Sequence, residues 1–145
     1  MSFSDDMAKF AKKCTTNSDL VVRKIVLDIG KSLVEKTPVG DASYWKSKPP
    51  AGYVGGHARA NWSHSMGAVS TQEFSTIDKT GGVSIERISN SLPMNAAGHV
   101  HFIQNSVPYI QALEDGHSRQ APNGMVALTA AEFKDHVNKA LAELK

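Results

Sequence analysis

A long segment with a single apolar stripe sets the terms for this fold. Between Asp19 and Lys36, Val22, Ile25, Val26, Ile29 and Leu33 recur at spacings of three and four residues. That period predicts an amphipathic helix with one face to bury. Thr37-Pro38 ends it, because the residue before a proline is driven out of helical geometry. Gly30 weakens the helix by about 1 kcal/mol relative to alanine, a cost that makes sense where a neighbouring element must come close. A helix with one stripe needs an opposing layer, and the remaining residues must supply it.

Two segments alternate at the strand period. In His57–Val69, Ala60, Trp62, His64 and Met66 share one face, and Arg59, Asn61, Ser63 and Ser65 the other. His99–Asn105 is the second strand, with Val100 and Phe102 pointing one way. Between them, Lys79–Gly82 (KTGG) marks a turn, and Ile85, Ile88 and Leu92 predict a short helix stopped near Pro93. Pro108 suits the first turn of another short helix. In that helix Tyr109 and Leu113 stack four apart, and Gly116 is placed as its left-handed cap. A final helix is expected from Thr129 and Glu132 as a capping box, with Leu128 and Phe133 as a hydrophobic staple. Its buried stripe is Phe133, Val137, Ala140, Leu141 and Leu144. At the N-terminus, Ser4 caps a separate short helix bearing Met7, Phe10, Ala11 and Cys14 on one face, and Cys14–Asp19 (CTTNSD) interrupts the pattern. The expected class is α+β: one domain over 1–145, with a small antiparallel sheet packed against helices. A long extended arm at 38–56 follows the second helix. The arm has no periodicity, but Tyr44, Trp45 and Tyr53 argue against plain disorder, and Pro49-Pro50 stiffens it.

Composition narrows the functions. The chain has 145 residues, of which 41% are hydrophobic and 21% charged, with a formal net charge of +2. That balance gives no global argument for nucleic-acid binding, where a strongly basic face is expected. Lys46, Lys48 and Arg59 give the arm only a modest positive bias, enough for passive contact with DNA in a conduit. Cys14 is the sole cysteine, so no intramolecular disulfide is possible, which suits a reducing cytoplasm. The opening MSFSDDMAKF reads as neither signal peptide nor span, and no apolar run approaches the ~20 residues a bilayer needs.

The residues offer little chemistry. His99 and His101 share a strand face and would supply two ligands to an ion, but zinc needs more. Glu114 and Asp115 are adjacent on a helix and point about 100° apart, so they do not converge as an acid–base pair. Arg59 is a possible ionic partner for them. Cys14 has lysines nearby but no histidine base in a local motif. GxSxG, P-loop, GxGxxG and HExxH patterns are absent. No cofactor, metal or catalytic residue is expected.

Three blocks carry a resemblance: TPV (Thr37–Val39), GGHARANW (Gly55–Trp62) and NSVPYIQALEDGHSRQAPNGMV (Asn105–Val126). Together they resemble the neck and tail-completion (minor tail component) family of lambdoid long-tailed bacteriophages, from about Leu20 to the C-terminus. The YWKSKPP insertion is a departure from the family pattern. The resemblance implies a non-enzymatic virion protein of the head–tail junction, assembled in the host cytoplasm. It would be a subunit of a homo-oligomeric ring, six-fold or twelve-fold, that completes the tail and contacts head-connector proteins and the tail tube or its terminator. A ring uses heterologous contacts, in which one surface of a subunit fits a different surface of the next. Two such surfaces are expected. One is the arm, through Tyr44, Trp45 and Tyr53. The other is the Glu114–Met125 loop, through Glu114, Asp115, His117, Arg119 and Met125. Arg59, Trp62 and Tyr109 accompany them. The competing readings are a tail-terminator ring capping the tube and, in a different class, a small phage-encoded hydrolase or nuclease using histidine and glutamate.

Overall fold

In the computed structural model the described residues are 3–40, 55–116 and 120–143. One helix dominates. α1 runs unbroken from Phe3 to Lys36, 34 residues, or about 51 Å at 1.5 Å per residue. The expected break at Cys14–Asp19 does not occur. That tract contains neither glycine nor proline, and Thr, Asn and Ser inside a helix cost only up to about 0.7 kcal/mol each. A helix packed along its second half carries such a tract through.

α1 is followed by a 3-10 turn (Arg59–Asn61), β1 (Trp62–Met66), α2 (Gly82–Ser91), β2 (His101–Asn105), α3 (Ile110–Glu114), α4 (Val126–Ala131) and α5 (Phe133–Glu143). β1 and β2 are antiparallel, with Trp62 opposite Asn105 and Met66 opposite His101. The fold is therefore α+β, with a two-stranded sheet against helices. Both strands are shorter than their alternating patterns. His57–Asn61 turns helically instead of extending, with Ala60 N–H bonded to Gly56 O at 3.0 Å and Asn61 N–H to Ala58 O at 3.1 Å. His99 lies before β2, in an exposed bend.

The core lies where α1, α2 and the sheet meet. Val26, Leu33, Val34, Trp62, Ile88, Leu92, Ala121 and Met125 are buried together. Gly30 lies where α2 comes close: a Cβ there would be 3.0 Å from Ile88 Cδ1 and 3.3 Å from its Cγ2, so alanine would require Ile88 to shift by a few tenths of an ångström. On the other flank α5 runs antiparallel to α1, tied by Lys36–Glu132 at 3.0 Å and Lys24–Glu143 at 3.4 Å. Only part of α5's expected stripe is inside. Ala140 is buried, whereas Phe133 and Leu141 are each about half exposed.

The capping box is not formed. Thr129 lies within α4, and its buried hydroxyl meets Ser32 Oγ at 3.0 Å on α1. Glu132 reaches Lys36 instead of its own helix start. A tertiary partner for each side chain outweighs the local cap.

Candidate subunit-contact surface

The resemblance blocks converge at the C-terminal end of α1. Thr37 is fully buried. Its hydroxyl donates to Leu33 O at 2.6 Å and accepts from Trp62 Nε1 at 2.7 Å. Arg59 caps the same helix end, donating to Thr37 O at 2.7 Å, Glu35 O at 3.3 Å and Lys79 O at 2.7 Å. A guanidinium suits the negative end of the helix dipole. So the threonine of TPV and the arginine and tryptophan of GGHARANW form one knot. Arg59 does not reach Glu114 or Asp115, and its donors serve backbone carbonyls. The asparagines act likewise. Asn61, fully buried, holds His57 O and both backbone groups of Phe74 at 2.7–3.0 Å, and Asn105 donates to Ala58 O at 2.8 Å.

The Glu114–Met125 loop is shaped by one carboxylate and two glycines. Glu114 Oε2 accepts from Met125 N at 2.8 Å and Val126 N at 2.9 Å, and Oε1 from Ala127 N at 3.0 Å. These are N–H groups of the first turn of α4, which lack partners within a helix. Glu114 thus caps α4 from the end of α3. Gly116 (φ +86°) and Gly124 (φ +82°) take left-handed geometry. A Cβ on Gly116 would lie 2.5 Å from Pro122 O, and one on Gly124 would lie 2.6 Å from Glu114 O. At these two positions the backbone approach leaves no room for a side chain.

The same loop holds the segment that follows α1. Gln120 Nε2 donates to Val39 O at 2.7 Å, and Val39 N donates to Gln120 Oε1 at 3.1 Å. The backbones of Gly40 and Gly55 pack against each other, with no room for a side chain on Gly55. Residues 40 and 55 are therefore neighbours in space. Nearby is a cleft of about 160 Å³ lined by Thr37, Pro38, Arg59, Gln120, Pro122 and Leu128, among others. Leu128 and Val126 are exposed at this end of α4.

The expected contact residues that are described separate into three groups. Trp62 and Met125 are core residues, 3% and 0% exposed, so neither presents a surface. Their bulk is what the interior required. Arg59 and Glu114 are half-buried and committed to backbone groups. Tyr109 and Asp115 are exposed, and Asp115 accepts from Gln111 at 3.1 Å. Tyr44, Trp45, Tyr53, His117 and Arg119 lie outside the described residues. Gln120 was not anticipated. Its signal was its place in the QAP block, but a polar loop residue shows no periodicity that would mark it.

A second polar arrangement lies across the sheet. His101 pairs with His64 rather than with His99. His64 Nε2 and His101 Nδ1 are 2.8 Å apart, His64 Nδ1 is 2.8 Å from Ser91 Oγ, and His101 Nε2 is 2.7 Å from Ala96 O. The carbonyl only accepts, so His101 Nε2 carries a hydrogen. A neutral His101 then accepts at Nδ1, and His64 donates from Nε2. His64 Nδ1 takes the Ser91 hydrogen, or else is itself protonated while Ser91 turns to Ile88 O at 2.9 Å. One added proton is thus accommodated. Two would set N–H against N–H. Burial holds the His64 pKa below its ordinary value, and the neighbouring His101 adds to the effect. The order serine, histidine, histidine resembles a nucleophile, base and orienting group. Ser91 ends α2, and its one hydroxyl hydrogen is within reach of both His64 Nδ1 and Ile88 O. The arrangement ties α2 to both strands. Among the described residues no three metal-binding side chains come together, and no helix is long and apolar enough to cross a membrane.

No family model, curated protein or solved structure matches this chain.

Proposed function

We propose that this chain is a non-enzymatic subunit of the neck of a long-tailed bacteriophage. It forms a homo-oligomeric ring that completes the tail and joins it to the head-connector complex. The observation that carries the reading is the Val39–Gln120 bridge. It brings the root of the arm and the glycine-shaped loop to one end of the subunit, although 81 residues separate them in sequence. Val39 belongs to the TPV block and Gln120 to the Asn105–Val126 block, two of the three blocks on which the resemblance to neck proteins rests. The left-handed glycines that shape the loop and the close approach of Gly40 to Gly55 beside it fit a subunit that presents this end to a different surface of its neighbour. The exposed Val126 and Leu128 add apolar area at the same place. Contacts with connector proteins on one side and the tail tube or terminator on the other follow from the same reading. So does passive exposure to DNA in the channel.

The test is genetic and compositional. Deleting the gene from a phage should leave heads and tails that do not join, and the protein should be present in purified virions. Particles that assemble and infect normally without it would refute the proposal. The hydrolase reading, which uses histidine and glutamate, predicts instead that alanine at His117, Glu114 or His101 abolishes a hydrolytic activity while virions assemble normally.

A further inference from the structure

The N-terminal half of α1 extends past the packed body. Asp19 is tied to Ala97 N–H at 3.0 Å, whereas every described side chain from Phe3 to Ser18 is exposed. Along this half, Phe3, Met7 and Phe10 are 81%, 51% and 64% exposed. Their spacing of four then three continues to position 14, which is the seam of a coiled coil. Such large apolar groups in a row on a projecting helix mark an interaction surface.

We infer that this seam pairs with the same seam of a second copy, antiparallel, about a two-fold axis between Met7 and Phe10. The register follows from the sequence. Residues whose numbers sum to 17 stand opposite: 3 with 14, and 7 with 10. The flanking heptad positions then decide the direction. With Met7 and position 14 at a and Phe3 and Phe10 at d, the g positions are 6 and 13, an aspartate and a lysine. Antiparallel helices bring g beside g, so Asp6 of each copy faces position 13 of the other, and the charge pair forms twice. A parallel pair would set g against e, giving Asp6 with alanine 11 and lysine 13 with Ser18, with no charge pair at all. Opposed helix dipoles favour the same direction. The seam is short against the ~1,200 Å² of a stable interface, so the association is weak between single subunits and strengthens where an assembly presents several helices together.

The contact is at the opposite end of α1 from the Val39–Gln120 bridge, so it neither requires nor blocks the ring. The test is sedimentation equilibrium of the full chain from about 10 to about 500 μM. Wild type should show reversible two-fold association, of subunits or of rings. Phe10→Glu should weaken it at least about tenfold. Asp6→Lys should weaken it, and Asp6→Lys combined with Lys13→Asp should restore it. Unchanged circular dichroism would show that α1 persists in each variant. Association that is absent in wild type, or indifferent to Phe10→Glu, overturns the inference, as does failure of the charge swap to restore it. A disulfide-linked dimer through Cys14 under mild oxidation also overturns it. Antiparallel pairing holds the two Cys14 positions 11 residues out of register, about 16 Å along the axis. Loss of rings with the two-fold association intact would count against the ring alone.

Discussion

Replacing Glu114 with glutamine separates a cap from a contact. Its carboxylate accepts three N–H groups of α4, two on Oε2 and one on Oε1. Glutamine keeps the shape but only one acceptor oxygen, and it removes the negative charge from the helix N-terminus. Loss of a capping acceptor costs about 1 kcal/mol, and loss of the charge–dipole interaction about 0.3–1 kcal/mol. Glu114 is half-buried, which keeps the total at about 1–2 kcal/mol. For a domain of this size each kcal/mol is worth about 2–4 °C in Tm, so Glu114→Gln should lower Tm by about 2–8 °C. The assay is thermal and urea unfolding of the purified chain at two protein concentrations, since a change that depends on concentration reports association instead. An unchanged Tm together with lost assembly would refute the cap and return Glu114 to the interface.

Gly124→Ala should cost more than about 2 kcal/mol, from left-handed strain plus the approach to Glu114. Gly67→Ala, also at positive φ (+80°) but with open space around it, should cost only about 1–2 kcal/mol; equal losses in urea titrations would contradict the geometry. Thr37→Val leaves the buried Trp62 N–H without its partner and should cost about 1–3 kcal/mol, and a double-mutant cycle with Trp62→Phe should show coupling near 1 kcal/mol. Because the His64 pKa is lowered on folding, the unfolded chain binds more protons below about pH 6.5. Stability should therefore fall as pH drops through that value, and His64→Gln should flatten the urea midpoint between pH 7.5 and 5. Asp78, lowered from 3.8 to about 2 by its bonds to Thr80 and Val83, contributes stability above pH 3.8 that is lost as pH falls toward 2, a second step that Asp78→Asn should remove.

The parts of the fold written in apolar periodicity were legible. The Val22–Leu33 stripe, the Gly30 crossing, the Ile88–Leu92 helix and the strand pair all depend on burial, which leaves a repeating trace. The parts written in tertiary hydrogen bonds were not. Thr129-x-x-Glu132 has the letters of a cap, yet Ser32 and Lys36 claim those side chains. Cys14–Asp19 has the letters of a break, yet weak propensities do not stop a helix supported further along. Arg59 and Trp62 read as contact residues because arginine and tryptophan are enriched at interfaces, and Glu114 because adjacent acids suit a charged rim or an ion pair to a neighbour. Each instead serves a buried or backbone partner that only the folded chain supplies. His64 and His101 are 37 residues apart, and nothing local joins them.

The central claim is a place in the virion, and quantitative mass spectrometry of purified particles tests it most directly. A ring subunit should be present at a fixed copy number per virion, a small multiple of the ring order and far below that of the tail-tube protein. Absence from intact virions, or a copy number that varies between preparations, would contradict the account.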